Sequence, residues 1–186
     1  MPYFNIVAET SENTVVTEYE PVKKRSDSYQ SEAALEQEFI RLLCEQGYEY
    51  LPIHTEKDLI ANLRKKLEEL NNYQFSDTEW DDFFKNAVAN PNEHIVEKTR
   101  KIQEDNVQVL TRDDGSSKNI TLIDKKNIHN NRLQVINQYV IGTENGAKHD
   151  NRYDVTVLVN GLPLVHIELK RRGVAIREAF NQINRY

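Results

Sequence analysis

Cysteine is almost missing from this chain. Cys44 is the single example in 186 residues, which excludes an internal disulfide framework and leaves a lone thiol expected to be a small buried filler. No apolar run is long enough to cross a membrane, and the start lacks the basic, apolar and small-residue pattern of a secretory leader. No membrane partner is expected, a cytoplasmic location follows, and the sequon Asn119-Ile120-Thr121 carries no meaning there. A phosphate-binding Gly-x-x-x-x-Gly-Lys-Ser/Thr loop is also missing. GTENGAK at 142–148 fails its spacing, so ATP binding is not expected in this chain. Positive charge is in deficit, 24 Lys and Arg against 30 Asp and Glu for a net charge of −6. That balance excludes a generic basic nucleic-acid binder, whose affinity comes mostly from neutralised phosphates. The histidines, His54, His94, His129, His149 and His166, lack metal-ligand spacing.

What is present reads as one decorated α/β core with a mixed sheet. Residues 1–30 read as an N-terminal arm with one short strand near Thr14–Thr17, and 31–48 as the first core helix. Residues 54–106 read as a helical insertion, with Leu59, Leu63, Leu67 and Leu70, then Trp80, Phe83, Phe84 and Val88, then a segment begun by Pro91. Strands follow near Val107–Leu110, Asn119–Ile123 and Leu133–Ile141. No repeat is evident.

The chemistry concentrates in RYDVTVLVNGLPLVHIELKRRG, residues 152–173. Tyr153–Val159 is β-branched and aromatic, and Leu164–Lys170 alternates apolar with polar, so both runs read as strands. Asn160-Gly161 between them is a hairpin signal, since both residue types tolerate positive φ. The hairpin brings together Asp154, Glu168 and Lys170. Two carboxylates suit Mg²⁺, a hard cation that takes one or two carboxylate ligands and keeps its other positions for water and phosphate. A lysine two residues after the glutamate lies on the same strand face and can position water or offset developing charge. The pattern is loose: many solvated strands satisfy it, and Asp114, Asp124 and Lys126 repeat it in this chain, although there the acids suit turn geometry.

The count of residues around the turn carries a structural demand. A regular two-residue turn would pair Val159 with Leu162 and Asp154 with Ile167, leaving Asp154 and Glu168 on opposite faces. Two oxygens on one Mg²⁺ lie within about 4 Å of each other, since each ligand sits at roughly 2.0–2.1 Å. A one-residue offset is therefore expected, as a three-residue loop over 160–162 or as a β-bulge, with Pro163 its natural place.

Two helices flank this hairpin. After Gly173, Ile176, Ala179, Phe180 and Ile183 recur at helical spacing, and Gln182 and Tyr186 share a face from which they could bond DNA phosphates or steady Lys170. Arg177 and Arg185 are candidates for phosphate contact or ordinary surface arginines. Lys170, Arg171, Arg172, Arg177 and Arg185 outnumber Glu168 and Glu178, so basic charge is local, with Lys98, Arg100 and Lys101 as a second cluster. Upstream, Leu35, Phe39, Leu42 and Leu43 form the apolar face of the first helix, and Glu36, or alternatively Glu32, could turn inward as a further acid of the site.

Tyr153 through NGLPLVHIELK to REAFNQINRY, together with SDSYQSEAALEQEFIRLLCEQGYEY, resembles the nuclease region of the R subunit (HsdR) of type I restriction enzymes, nearest the type IC group. The resemblance covers nearly the whole chain and implies a restriction-endonuclease-like α/β fold of the PD-(D/E)xK superfamily. By position Asp154, Glu168 and Lys170 take its acid, acid and lysine places, with Tyr153 where the usual proline would stand. Gln182 and Tyr186 match the Gln-x-x-x-Tyr element of the similar RecB-type nucleases. The chemistry of the hairpin then gives Asp154, Glu168 and Leu169 as metal ligands and Mg²⁺ as cofactor, and the pattern of the first helix gives Glu36, preferred over Glu32, as an added catalytic acid. The resemblance further implies a type I site-specific deoxyribonuclease acting on double-stranded DNA with methyltransferase (M) and specificity (S) subunits. ATP would be used by motor domains absent from this chain, which reads as an N-terminal piece stopping before a further core strand. Two alternatives stay open: a noncatalytic module docking DNA or subunits, and another nuclease of the same fold, a RecB-like exonuclease or junction resolvase.

Overall fold

The computed structural model describes residues 3–9, 15–20, 31–141 and 151–170. Packing divides the chain into two units, Met1–Gln30 and Ser31–Tyr186. The first contains an antiparallel hairpin, β1 (Tyr3–Glu9) and β2 (Val15–Glu20), with an irregularity between Ile6 and Ala8. The expected arm with one short strand is thus corrected: a second strand pairs with it. The alternation of apolar and charged residues there is period-two strand patterning.

The second unit is built on a four-stranded mixed sheet. Its order is β3 (Glu49–Tyr50), β6 (Leu133–Ile141), β7 (Asn151–Val159), β8 (Leu162–Ile167), with β3 parallel to β6 and the rest antiparallel. Helix α1 (Glu32–Glu45) starts at Ser31, whose hydroxyl accepts the Ala34 N–H at 3.1 Å. Leu43, with Phe39 and Ile40, packs on Val135, Val155, Val157 and Ile167 from one side of the sheet. Leu42 and Cys44 are exposed. The helix turns these two outward, which corrects both the expected apolar stripe and the buried thiol. Leu59 of α2 (Glu56–Asn71) joins a different cluster with Ile53, Ile136, Tyr139 and Leu158.

The 54–106 segment is helical, as its spacing predicts: α2, then α3 (Asp77–Phe83) running into a π turn at Phe84–Val88, then α4 (Ile95–Gln103). Its largest core sets Leu63 and Leu67 with Phe75, Trp80 and Phe83 against Leu110 and Ile120. The last two come from β4 (Val107–Thr111) and β5 (Ser117–Thr121), a hairpin that forms its own sheet. Buried Glu79 ties this module together. Its carboxylate accepts the Ser76 N–H, closing a capping box, and also the Tyr73 hydroxyl and the Asp113 N–H. Burial alone would raise its pKa, but these bonds and the charge of Arg112 outweigh it and hold the carboxyl below its ordinary value.

The sheet meets this module at the β7–β8 turn. Asn160 and Gly161 have φ of 52° and 84°, the double positive φ of a type I′ turn. A Cβ on Gly161 would stand 2.6 Å from the Leu63 Cα, so glycine is required by space as well as by conformation. Asn160 is fully buried. Its N–H donates to Arg132 O at 2.9 Å, its Oδ1 accepts the Arg132 N–H at 2.8 Å, and its Nδ2 donates to Leu122 O and Asn131 Oδ1 at 3.0 and 2.8 Å.

Candidate active site

The register of the hairpin meets the metal-site demand. Val159 pairs with Leu162 and Leu158 with Pro163; the partners then shift by one, Val157 to Val165, Thr156 to His166 and Val155 to Ile167. Leu164 is the extra residue of a β-bulge beside Pro163, which has no N–H to offer the ladder. Of the two expected offsets the bulge is the one formed, and the two-residue turn is kept. The shifted register, continued by one residue, sets Asp154 opposite Glu168. One correction applies: β8 ends at Ile167, so Glu168, Leu169 and Lys170 lie just past the strand rather than within it.

These residues are in mutual contact. The Leu169 N–H donates to Asp154 Oδ2 at 2.9 Å, and Lys170 Nζ donates to Glu168 Oε1 at 2.6 Å. The Glu168 side chain is 3% exposed, and its buried Oε2 receives no hydrogen bond from the described residues. Burial raises the Glu168 pKa and the Asp154 charge raises it further, while Lys170 opposes both. For Lys170, burial works against the ammonium. The hydrogen bond and charge of Glu168, backed by Glu32 and Asp154, prevail and hold its pKa above the ordinary value.

The two helix carboxylates have different surroundings. Glu32 feels Lys170 electrostatically. Glu36 is buried, and both its oxygens are taken: Oε1 by Asn137 Nδ2 at 2.6 Å and Oε2 by Gln138 Nε2. His166 has Nδ1 2.9 Å from Thr156 Oγ1 and its ring stacked on Tyr153 at 4.1 Å, a setting that the alternation pattern alone does not disclose. The rival acidic pattern is turn chemistry. Asp114 accepts the Ser116 N–H, and Asp124 accepts the Lys126 and Asn127 N–H groups and the Asn130 amide. Gln182, Tyr186, Arg177 and Arg185 lie outside the described residues.

The donor set fits a hard divalent cation. Asp154 and Glu168 offer carboxylate oxygens, Leu169 can contribute only its carbonyl, and Glu168 Oε2, unpaired among the described residues, is a buried acceptor that a cation would satisfy. Among the described residues no three His, Cys, Asp or Glu side chains gather as a cage. Mg²⁺ does not need one, since it typically takes one or two carboxylates and retains water.

A mixed sheet with helices on its faces, an acid on one hairpin strand and an acid–x–lysine after the next define a restriction-endonuclease-like α/β protein. Comparison with known proteins agrees. The family model for the type I restriction enzyme R protein N terminus matches residues 29–186, and the chain belongs to that family. It is 51% identical over 181 residues, 97% of its length, to the type I restriction enzyme EcoprrI endonuclease subunit of Escherichia coli, and covers 56% of that protein. It is 40% identical over 163 residues to the SsaAORF53P endonuclease subunit of Staphylococcus saprophyticus, and 31% identical over 178 residues to the HindI endonuclease subunit of Haemophilus influenzae. It spans 85% and 84% of itself in these matches but only 17% of each relative.

Proposed function

We propose that this chain is the metal-dependent endonuclease region of a type I restriction enzyme R subunit, hydrolysing phosphodiesters of double-stranded DNA. What carries the reading is the buried Glu168 oxygen beside Asp154 and Lys170, which no described residue hydrogen-bonds, in a chain whose relatives are named endonuclease subunits. Asp154, Glu168 and the Leu169 carbonyl would hold Mg²⁺, which when bound polarises a phosphate and lowers the pKa of water. Asp154 orients the loop by accepting the Leu169 N–H, and Lys170, already protonated and tethered to Glu168, is available to balance charge developing on the phosphate. Gln182, Tyr186, Arg177 and Arg185 would grip the DNA backbone. Motor domains outside this chain would consume ATP, and M and S subunits would supply sequence recognition.

The test uses the full-length R subunit assembled with its M and S subunits on circular DNA. Asp154→Ala, Glu168→Ala and Lys170→Ala should each reduce cleavage more than about 10²-fold while leaving ATP hydrolysis close to wild type. Retained cutting by all three variants would refute the site.

A further inference from the structure

Alternation along β6 and β7 breaks at one place. Side chains three or five apart on a regular strand point to opposite faces. Yet Ile136 and Tyr139 share one apolar cluster, and Leu158 shares it with Tyr153, while Val155 and Val157 pack in the cluster under α1. Asp154 lies at this switch, between Tyr153 and Val155. The residue facing it across the ladder is Gln138. Pairing runs through Asn137–Val155 and resumes at Tyr139–Tyr153, and Gln138 between them has a φ of 53°. A glutamine in the left-handed region inside a strand is strained and persists only where its surroundings enforce it.

The enforcing group is Glu36. Its carboxylate accepts from the side-chain amides of both Asn137 and Gln138, and the Tyr50 hydroxyl donates to Asn137 Oδ1 at 2.9 Å, fixing which way that amide faces. An ionised carboxylate is acceptor-only, so both amide nitrogens must turn toward it. With both oxygens engaged, Glu36 is committed to β6.

We infer that Glu36 and Gln138 are positioning residues: Glu36 locks Gln138 in its left-handed conformation, and the resulting break in the ladder sets the Asp154 carboxylate on the Leu169 N–H and opposite Glu168. The functional consequence rests on Asp154 being a metal ligand, as proposed above. The structural consequence does not.

The first measurement is therefore metal-free. Amide exchange at Leu169 is followed by NMR in the 186-residue chain and its variants. Valine resists the left-handed region, so Gln138→Val should speed Leu169 exchange about tenfold. Gln138→Gly, which keeps access to positive φ but loses the amide, should fall between Val and wild type. Glu36→Gln, isosteric but carrying a donor where two donors already point, should also accelerate Leu169 and serves if the valine variant does not fold. The second measurement is Ca²⁺ affinity by calorimetry, expected to weaken in the same order and to vanish in Asp154→Ala. Unchanged Leu169 exchange in folded Gln138→Val or in Glu36→Gln overturns the positioning role. Loss of Ca²⁺ affinity in Glu36→Gln with Leu169 undisturbed also overturns it, by making Glu36 a ligand. Equal Ca²⁺ binding by wild type and Asp154→Ala would instead sink the metal-site reading and leave the exchange result to decide the positioning role alone.

Discussion

At one end of the β7–β8 hairpin, Asn160 places its backbone N–H and every polar atom of its side chain in hydrogen bonds, and Gly161 rests against the backbone of α2. At the other end, Glu168 keeps a buried oxygen that no described residue hydrogen-bonds. The same ladder thus joins an over-satisfied terminus to an under-satisfied one. Buried polar groups are nearly always paired, and exceptions concentrate where a ligand supplies the missing partner. The anchored end holds the register; the open end carries the proposed chemistry.

Three measurements can break or sharpen this contrast. The largest effect is expected at the anchor: Gly161→Ala should destabilise the chain by about 3–4 kcal/mol, read as a lower urea midpoint, because the new Cβ meets α2 backbone that cannot step aside. A loss under 1 kcal/mol would mean the turn is not held there. Next is Asn160→Ala, which keeps the backbone bond to Arg132 O but leaves Leu122 O, Asn131 Oδ1 and the Arg132 N–H each short of a partner, and should cost about 2–3 kcal/mol.

The smallest effect belongs to the open end. Glu168→Gln replaces a disfavoured buried charge and should change metal-free stability by only about 1 kcal/mol or less, while abolishing Ca²⁺ binding. Its sign depends on pH. Burial and the Asp154 charge raise the folded-state pKa of Glu168, so its contribution is full below the unfolded carboxyl value and is lost as pH rises through the folded value. Wild type should therefore lose stability relative to Glu168→Gln as pH rises above the ordinary carboxyl range. A wild type that gains on the variant over that range would contradict the assigned environment.

The comparison also sorts what could be read from sequence. The turn and its flanking strands were legible because Asn-Gly and period-two patterning are local signals. The bulge was legible for another reason, namely that two ligands of one cation forbid the regular register. The Ser76–Glu79 capping box had a readable Ser-x-x-Glu signal, yet the further reach of Glu79 to Tyr73 and Asp113 had none. Gln138 could not be foreseen either. Its left-handed backbone depends on Glu36, 102 residues earlier, and no window of β6 contains that information. The end of β8 at Ile167 escaped similarly, because alternation continues through Lys170 after the ladder has stopped.

The bulge at Leu164 has a consequence for how such a hairpin can change over evolutionary time. From the turn to the carboxylates, the returning arm is one residue longer than the outgoing arm, so the two are out of step by half a pleat. Removing Leu164 would restore a flawless ladder and rotate everything beyond it to the opposite side. Only a compensating change of one residue in the outgoing arm would restore the phase. Within this hairpin, length therefore carries a parity: a substitution leaves the phase untouched, but a single insertion or deletion reverses it unless the other arm changes by one residue as well.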